Sequence, residues 1–143
     1  MTTDHELMAC ADCLCLASRK AARAITSAFD RRMRGSGVRV TQYTILASLM
    51  LMGPQPIGDL ARALGLERTT LSRNLDLLES KGWVESHAGE DDARARIASV
   101  TDAGRAIVRE GFPAWRAAQQ SVLSTVGEAG AEALRKLART PIR

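Results

Sequence analysis

The stretch Ile57 to Leu78, IGDLARALGLERTTLSRNLDLL, decides the fold of this 143-residue chain. Two closely packed helices joined by a tight turn need a small residue where they touch, and Ala61 supplies it. The turn needs a residue that tolerates positive φ, and Gly65 supplies that. Leu71 then returns an apolar side chain to the helix crossing. Because these residues stand at the right mutual offsets, the stretch predicts a helix-turn-helix.

The second helix of this pair has an apolar side and a polar side. At about 100° per residue, Leu71, Leu75 and Leu78 share one face. Hydroxyl and guanidinium groups occupy the N-terminal half and the opposite face, where a recognition helix meets base edges and phosphates in the major groove. The candidate DNA-binding residues of this helix are Arg68, Thr69, Thr70, Ser72 and Arg73. Asp76 and Glu79 lie in its second half, where they can point away from a duplex.

A short hairpin follows the helix pair. We expect strands over Trp83 to Ala88 and Arg96 to Val100, joined by a charged loop. Arg94 at the tip suits a minor groove, whose negative potential attracts guanidinium groups. Arg96 is a second candidate DNA contact. Asp92 is interpreted as a brace that pairs with an arginine and fixes the tip.

The rest of the chain predicts helices on both sides of this unit. Gly35-Ser36-Gly37 and Gly53-Pro54-Gln55-Pro56 mark the loops after the first and second helices. Six helices are expected, over about Asp4 to Arg34, after Thr41 as N-cap, Ile57 to Leu64, Glu67 to Lys81, Thr101-Asp102 to about Val126, and roughly Gly130 to Arg139. The fold class is therefore mainly α with a small β-hairpin, a winged helix-turn-helix flanked by N- and C-terminal helices.

The outer helices carry apolar stripes with little of their own domain to cover them. In the first helix the stripe recurs at steps of three and four residues, through Leu7, Cys10, Leu14, Ala17, Ala21, Ala24 and Ala28. Such a stripe is most simply buried against a second copy of the chain. We expect a homodimer of a single domain, with residues 1–36 and 102–143 as dimerisation helices and residues 38–101 as the DNA-binding region.

Charge and composition narrow the classes of function. Twenty basic residues against 16 acidic ones give a net charge of +4, which is mild evidence for a polyanionic partner. Residues 53–101 nevertheless hold six basic and eight acidic groups, so any positive footprint must come from placement. The sequence has no run of 18 apolar residues, so it predicts no membrane span. The acidic, polar N-terminus does not resemble a signal peptide. A cytoplasmic protein is the expectation.

The ordered set of motifs resembles the MarR family of winged helix-turn-helix regulators, over nearly the whole chain. The resemblance rests on Ile57–Ala61, Leu66–Arg73, Leu77–Val84, the wing residues Asp92–Arg94, and Val100–Gly104. It implies a dimeric protein that binds double-stranded, pseudo-palindromic operator DNA without a cofactor. It also implies a regulator that mostly represses transcription until a small molecule or an oxidant releases it.

The family resemblance also implies a ligand cleft. MarR-like dimers often hold small aromatic acids between the dimerisation helices and the DNA-binding module. Tyr43 and Trp115 are the aromatic candidates to line such a cleft, while arginines near the first helix are suited to a carboxylate. The alternative for Trp115 is a role in packing alone, because large aromatic side chains mostly serve packing.

The first predicted helix contains three cysteines within a stretch of six residues, Cys10 to Cys15. Cys13-Leu14-Cys15 resembles the segment that carries the reactive cysteine of organic-hydroperoxide sensors in the MarR family, with Cys13 at the matching position. Those sensors place a tyrosine where this chain has Ala17. On a continuous helix Cys10 and Cys13 share a face and Cys15 turns away, so one helix cannot aim all three thiols at one metal. Structural, redox-active and metal-linked roles remain open.

Two other classes of function stay as alternatives. One is a thiol-dependent peroxide-reducing enzyme that uses Cys13, and the other is a helical interaction module that binds no DNA. The sequence contains no motif for a serine hydrolase, a zinc protease or a phosphate-binding loop. His5 and His87 are the only histidines, and His87 is placed in a strand of the hairpin. We therefore expect no enzyme activity and no metal site.

Overall fold

The computed structural model describes residues 1–140 of the chain. Its elements in order are α1 (Asp4–Leu7), a 3-10 helix (Met8–Asp12), α2 (Leu14–Met33), a 3-10 turn (Arg34–Ser36), α3 (Val40–Met52), β1 (Gln55–Pro56), α4 (Ile57–Leu64), α5 (Arg68–Ser80), β2 (Val84–Ala88), β3 (Arg96–Val100) and α6 (Asp102–Arg139). The expected mainly helical architecture with a small hairpin is confirmed. The last three residues of the predicted 102–143 segment lie outside the described residues.

The helix-turn-helix forms where the sequence predicts it. Gly65 closes α4 with φ of 62°, a left-handed conformation that glycine adopts without a Cβ penalty. The Leu66 amide donates to the Ala61 carbonyl at 3.0 Å, which satisfies an end of α4. On α5, the three leucines of the apolar face are fully buried, at positions Leu71, Leu75 and Leu78. The local signals therefore suffice for this part of the fold.

The hydrophobic core lies between the helix pair, α3 and the sheet. Its largest fully buried side chains come from four helices, namely Met33, Ile45, Leu46, Leu49, Leu60, Leu71, Leu75 and Leu78. Burial of one such side chain contributes about 1.5–3 kcal/mol relative to exposure. Since α3 carries three of these residues, it is the central support for the helix-turn-helix.

A third strand joins the expected hairpin. Gln55 and Pro56, expected to form only a loop, pair antiparallel with Ala98 and Ile97 of β3. The strand order is β1-β3-β2, so β3 is central and β1 lies on the edge. An edge strand tolerates proline because its missing N–H would face away from the ladder. The wing is therefore a three-stranded sheet anchored beside the start of α4.

The first helix is not continuous, which corrects the expectation of one helix from Asp4 to Arg34. A 3-10 helix and Cys13, at φ −60° and ψ 120°, separate α1 from α2. Because Cys13 is extended rather than helical, the predicted shared helical face of Cys10 and Cys13 is wrong. Residues 1–24 are all exposed, so tertiary packing does not impose regular helix on this segment.

The start of α3 lies two residues earlier than predicted. Arg39, rather than Thr41, is the N-cap residue. The Val40 amide donates to the Asp30 carboxylate at 2.8 Å, and the Arg39 amide donates to the Gln42 side chain at 3.4 Å. These acceptors satisfy free amides at the helix start, which is why α3 begins earlier.

The long α6 contains the two expected C-terminal helices. Thr101 is the N-cap as predicted and accepts a hydrogen bond from the Gly104 amide at 3.1 Å. Gly127, at φ 72° and ψ 169°, interrupts the helix between the two predicted segments. Gly104 is required at its position, because a Cβ there would collide with the Trp83 carbonyl. Among the described residues, no helix is both long and apolar enough to cross a membrane.

Candidate nucleic-acid interface

The N-terminal half of α5 presents a polar surface opposite its buried leucines. Ser72 is half-buried, while the other four candidate contacts are exposed, at Arg68, Thr69, Thr70 and Arg73. The Arg68 guanidinium lies over Gly58 in the first turn of α4. Donors and acceptors on one helical surface are the chemistry that reads base edges in a major groove. The structure therefore brings together the α5 residues that the sequence singled out.

The wing tip is held by the backbone around Asp92. The Asp92 carboxylate accepts a hydrogen bond from the Arg94 amide at 2.9 Å, and its carbonyl accepts one from the Ala95 amide at 3.0 Å. This corrects the interpretation of Asp92 as the partner of an arginine side chain, because it binds the main chain of the turn instead. Within residues 1–140, the exposed Arg94 guanidinium forms no ion pair.

Arg96 is engaged inside the protein rather than presented to solvent. Its Nη2 lies 3.0 Å from Asp76 Oδ1 and 2.9 Å from Glu79 Oε2, both on α5. Its Nε donates to Ser86 Oγ at 3.1 Å and its Nη1 to Ser72 Oγ at 3.4 Å. Four of the donor positions of the guanidinium are thus directed at the protein. Direct DNA contact by Arg96 stays a prediction that this geometry does not favour.

A second feature is an apolar cavity of about 610 Å³ between α3 and α6. Both aromatic residues named from the sequence line it, Tyr43 and Trp115. Phe112 stacks on Trp115 with ring centroids 5.7 Å apart, and Arg109 is the one charged residue of the lining. Sequence reasoning missed Phe112 and Arg109, although their spacing of three and six residues before Trp115 places all three on neighbouring turns of one helix.

Tyr43 is a fixed wall of this cavity. Its hydroxyl donates to the Val108 carbonyl at 3.1 Å, and its side chain is buried. Burial raises the pKa of the Tyr43 phenol above its ordinary value, so the group stays neutral and acts as a donor at physiological pH. Trp115 stacks beside Tyr43 with ring centroids 6.4 Å apart, so Tyr43, Trp115 and Phe112 form one continuous aromatic surface. The lining thus combines aromatic ring faces with one guanidinium group, that of Arg109.

The three cysteines are all exposed in the described chain. Cys13 lies at the break before α2 and forms no side-chain cap for that helix. Within residues 1–140, no group of three or more histidine, cysteine, aspartate or glutamate side chains converges as a metal site would require. The thiols are therefore accessible, and none of them packs in the core of its own subunit.

Two helices joined at Gly65, a supporting third helix and a three-stranded wing define a winged helix-turn-helix protein. A MarR family model matches residues 36–95. The transcriptional regulator MosR of M. tuberculosis, solved in complex with DNA, is 36% identical with a TM-score of 0.79, over 89% of this chain and 94% of that one. A probable transcriptional regulator from Pseudomonas aeruginosa is 28% identical with a TM-score of 0.76, over 88% and 94%.

A relative from Escherichia coli agrees with these structures. The transcriptional repressor MprA is 29% identical over 86 residues, which are 59% of this chain and 49% of MprA. The match thus spans about half the length of that relative. With the two solved structures covered almost completely, the assignment is clear. The chain belongs to the MarR family of DNA-binding transcriptional regulators.

Proposed function

We propose that this chain regulates transcription by binding double-stranded operator DNA through α5 and the wing. The observation that carries the proposal is the exposed polar surface of α5 directly opposite the buried leucine face. MosR, which covers the same fold, was solved bound to DNA, and MprA is named as a repressor. Repression that a small molecule or an oxidant relieves is the mode of action that we propose.

The residues at this surface have separate tasks. Base edges in the major groove are read by Thr69, Thr70 and Arg73. At the margin of this surface, DNA phosphates are contacted by the Arg68 guanidinium and the Ser72 hydroxyl. Arg94 enters the adjacent minor groove from the wing tip. Arg96 and Asp92 are positioning residues, since the first ties the wing to α5 and the second shapes the turn.

The assembly that we propose is a two-fold homodimer of a single domain, located in the cytoplasm with its DNA. Residues 1–36 and 102–143 are the dimerisation helices, which form the interface through their apolar side chains, and residues 38–101 form the DNA-binding region. Exposed large apolar side chains cluster at both ends of the chain, at Leu7, Met8, Leu14, Leu16, Leu134 and Leu137. A two-fold dimer places two recognition helices in successive major grooves, so the operator is pseudo-palindromic.

The effector that the cavity fits best is a small aromatic acid. Tyr43 and Trp115 offer apolar ring faces, and the Arg109 guanidinium is suited to a carboxylate. An oxidant acting at Cys13, with Cys10 or Cys15 as the resolving thiol, is the second candidate signal, favoured by the exposure of all three thiols. The relatives are transcriptional regulators, which does not favour the peroxide-reducing enzyme or the interaction module.

Selection of genomic DNA tests the proposal. Purified protein is incubated with fragmented genomic DNA, and the retained fragments are sequenced. We expect enrichment of a few sites with inverted half-sites, and nanomolar binding of a synthetic copy in fluorescence anisotropy. A duplex of the same composition in shuffled order is the control. Equal binding of selected and shuffled duplexes would contradict sequence-specific regulation, and no binding of either would contradict the DNA-binding role.

A further inference from the structure

Residues 53–101, here called the recognition unit, have few basic side chains that are free to bind DNA phosphates. Two of its six basic residues are engaged within the protein, Arg96 by Asp76 and Glu79, and Arg62 by Asp59. Lys81 lies over the ring of Trp83 at 4.6 Å from its centroid. Non-specific affinity for DNA comes almost entirely from neutralised phosphates. Arg68, Arg73 and Arg94 of this segment form no ion pair within the described residues, and basic residues outside 53–101 are a further source of positive charge for the DNA backbone.

A cluster of arginines at the junction of α2 and α3 can supply that charge. Arg31, Arg34 and Arg39 line one cavity of about 450 Å³. Asp30 is the only acidic residue of its lining, and it is occupied by the Val40 amide at 2.8 Å and by Arg39 Nε at 3.6 Å. Within the described residues Arg31 and Arg34 form no ion pair. The cavity thus carries three guanidinium groups against one carboxylate.

The first turn of α3 connects the cluster to the turn of the helix-turn-helix that leads into α5. Val40 and Thr41, in the first turn of α3, line a shared cavity with Leu64 and Leu66. These two leucines flank Gly65 in the turn of the helix-turn-helix, and α5 starts at Arg68. Arg39 directly precedes Val40, so the arginine cavity and the cavity that contains Leu64 and Leu66 meet at the first turn of α3.

We propose that Arg31 and Arg34, assisted by Arg39, form an outer phosphate site that binds the DNA backbone beside the half-site read by α5. This inference rests on the proposed DNA-binding function and extends it. A planar guanidinium offers paired donors that match phosphate oxygens, whereas it reads no sequence from a phosphate. The site therefore raises affinity for all duplexes and leaves discrimination between operator and other DNA to α5 and the wing.

The test compares two double variants that each remove two positive charges, one at the C-terminal end of α2 and one nearer its N-terminal end. In Arg31→Ala/Arg34→Ala the outer site is removed. The control is Arg19→Ala/Arg23→Ala. Both of these arginines are exposed on α2 and lie off its apolar stripe, and they are about 12 Å or more from Arg31 along the helix axis. Operator affinity of each full-length dimer is measured by anisotropy at a series of salt concentrations, after circular dichroism and sedimentation confirm folding and assembly.

We expect the slope of log affinity against log salt to become shallower by about 0.9 for each phosphate that the variant no longer neutralises. The change is expected in Arg31→Ala/Arg34→Ala only, with the ratio of operator to shuffled-duplex affinity unchanged. The lysine variant Arg31→Lys/Arg34→Lys keeps the charge and should retain most of the wild-type slope. This rescue separates removal of the charge from damage to the fold.

Several outcomes would overturn the site. One is a wild-type slope in Arg31→Ala/Arg34→Ala, and another is an equally shallow slope in the Arg19→Ala/Arg23→Ala control. A third outcome concerns inorganic phosphate at millimolar concentration. If phosphate stabilises the DNA-free wild-type protein, and Arg31→Ala/Arg34→Ala abolishes this stabilisation while its DNA slope stays unchanged, the site serves a free anion and not DNA. Wild-type protein that binds no duplex would instead overturn the proposed function itself.

Discussion

The guanidinium of Arg96 on β3 lies 2.9 Å from the carboxylate of Glu79 on α5. The two side chains are 29% and 31% exposed, so water screens this pair less than it screens an ion pair at the open surface. Asp76, one turn earlier on α5, receives the same Nη2 at 3.0 Å. The base of the wing and the recognition helix are therefore joined by side chains, and the two elements present a fixed spacing to DNA.

This junction gives a prediction whose sign separates positioning from charge. The double variant Asp76→Asn/Glu79→Gln makes the recognition unit less negative, which by charge alone should tighten DNA binding. If Arg96 positions the wing, the variant instead weakens operator binding about tenfold, and Arg96→Ala does the same. Anisotropy with operator and shuffled duplexes measures both effects. Tighter binding by the double variant would mean that the loss of negative charge outweighs any positioning of the wing by Arg96.

Arg73 and Arg94 are expected to contact DNA directly. Either alanine substitution should weaken operator binding by about 1–3 kcal/mol if the side chain meets a base edge or a minor groove. Neither residue packs in the core, so circular dichroism should show an intact fold. Arg23→Ala, which removes an exposed arginine of α2, is the matched control. Affinities that remain at the wild-type value in both variants would remove these residues from the interface.

The dimer interface is expected to include the exposed apolar side chains at the two ends of the chain. Leu14 is 85% exposed and Leu137 is 58% exposed in the single subunit. Substitution of either residue by glutamate should convert the dimer to a monomer in sedimentation. It should also abolish operator binding, because a monomer contacts only one half-site. Leu51→Glu is the control, since Leu51 is 87% exposed but lies beside the α3–α6 cavity. A wild-type monomer at micromolar concentration would contradict the interface.

Binding of an aromatic carboxylate in the α3–α6 cavity should quench Trp115. The chain has two tryptophans, so Trp83→Phe isolates the Trp115 signal. We expect saturable quenching and a raised melting temperature with at least one member of a panel of aromatic acids. Arg109→Ala should weaken that binding about tenfold or more, because the carboxylate loses a charge-assisted partner. If no acid of a broad panel quenches the fluorescence or raises the melting temperature, Trp115 has a packing role only.

Oxidation is expected to act through the exposed thiol of Cys13. Stoichiometric organic hydroperoxide should convert the Cys13 thiolate to a sulfenic acid and release the corresponding alcohol. Operator affinity should then fall in wild-type protein and stay unchanged in Cys13→Ser. The measurement compares each protein before and after peroxide, with mass spectrometry to locate the added oxygen. Undiminished affinity in all four samples would show that these cysteines have no part in the response.

Much of the architecture follows from local signals in the chain. The turn at Gly65, the buried leucines of α5 and the Thr101 cap are each determined within a few residues, because helix periodicity and capping are short-range effects. The polar surface of α5 follows from the same periodicity, since a buried leucine face leaves the opposite face to solvent. For this reason the sequence alone predicts the helix-turn-helix and the polar face of its second helix.

Contacts between distant parts of the chain depended on the fold. Pairing of Gln55 with Ala98, engagement of Arg96 by Glu79, and the arginine cluster beside α3 each join residues that no local pattern relates. Arg94 and Arg96 have similar neighbours in sequence but differ in their contacts, because among the described residues only Arg96 pairs with the α5 carboxylates. Helix periodicity determines which residues share a face, whereas tertiary packing decides which charges meet, because ion pairs depend on distances of a few ångströms.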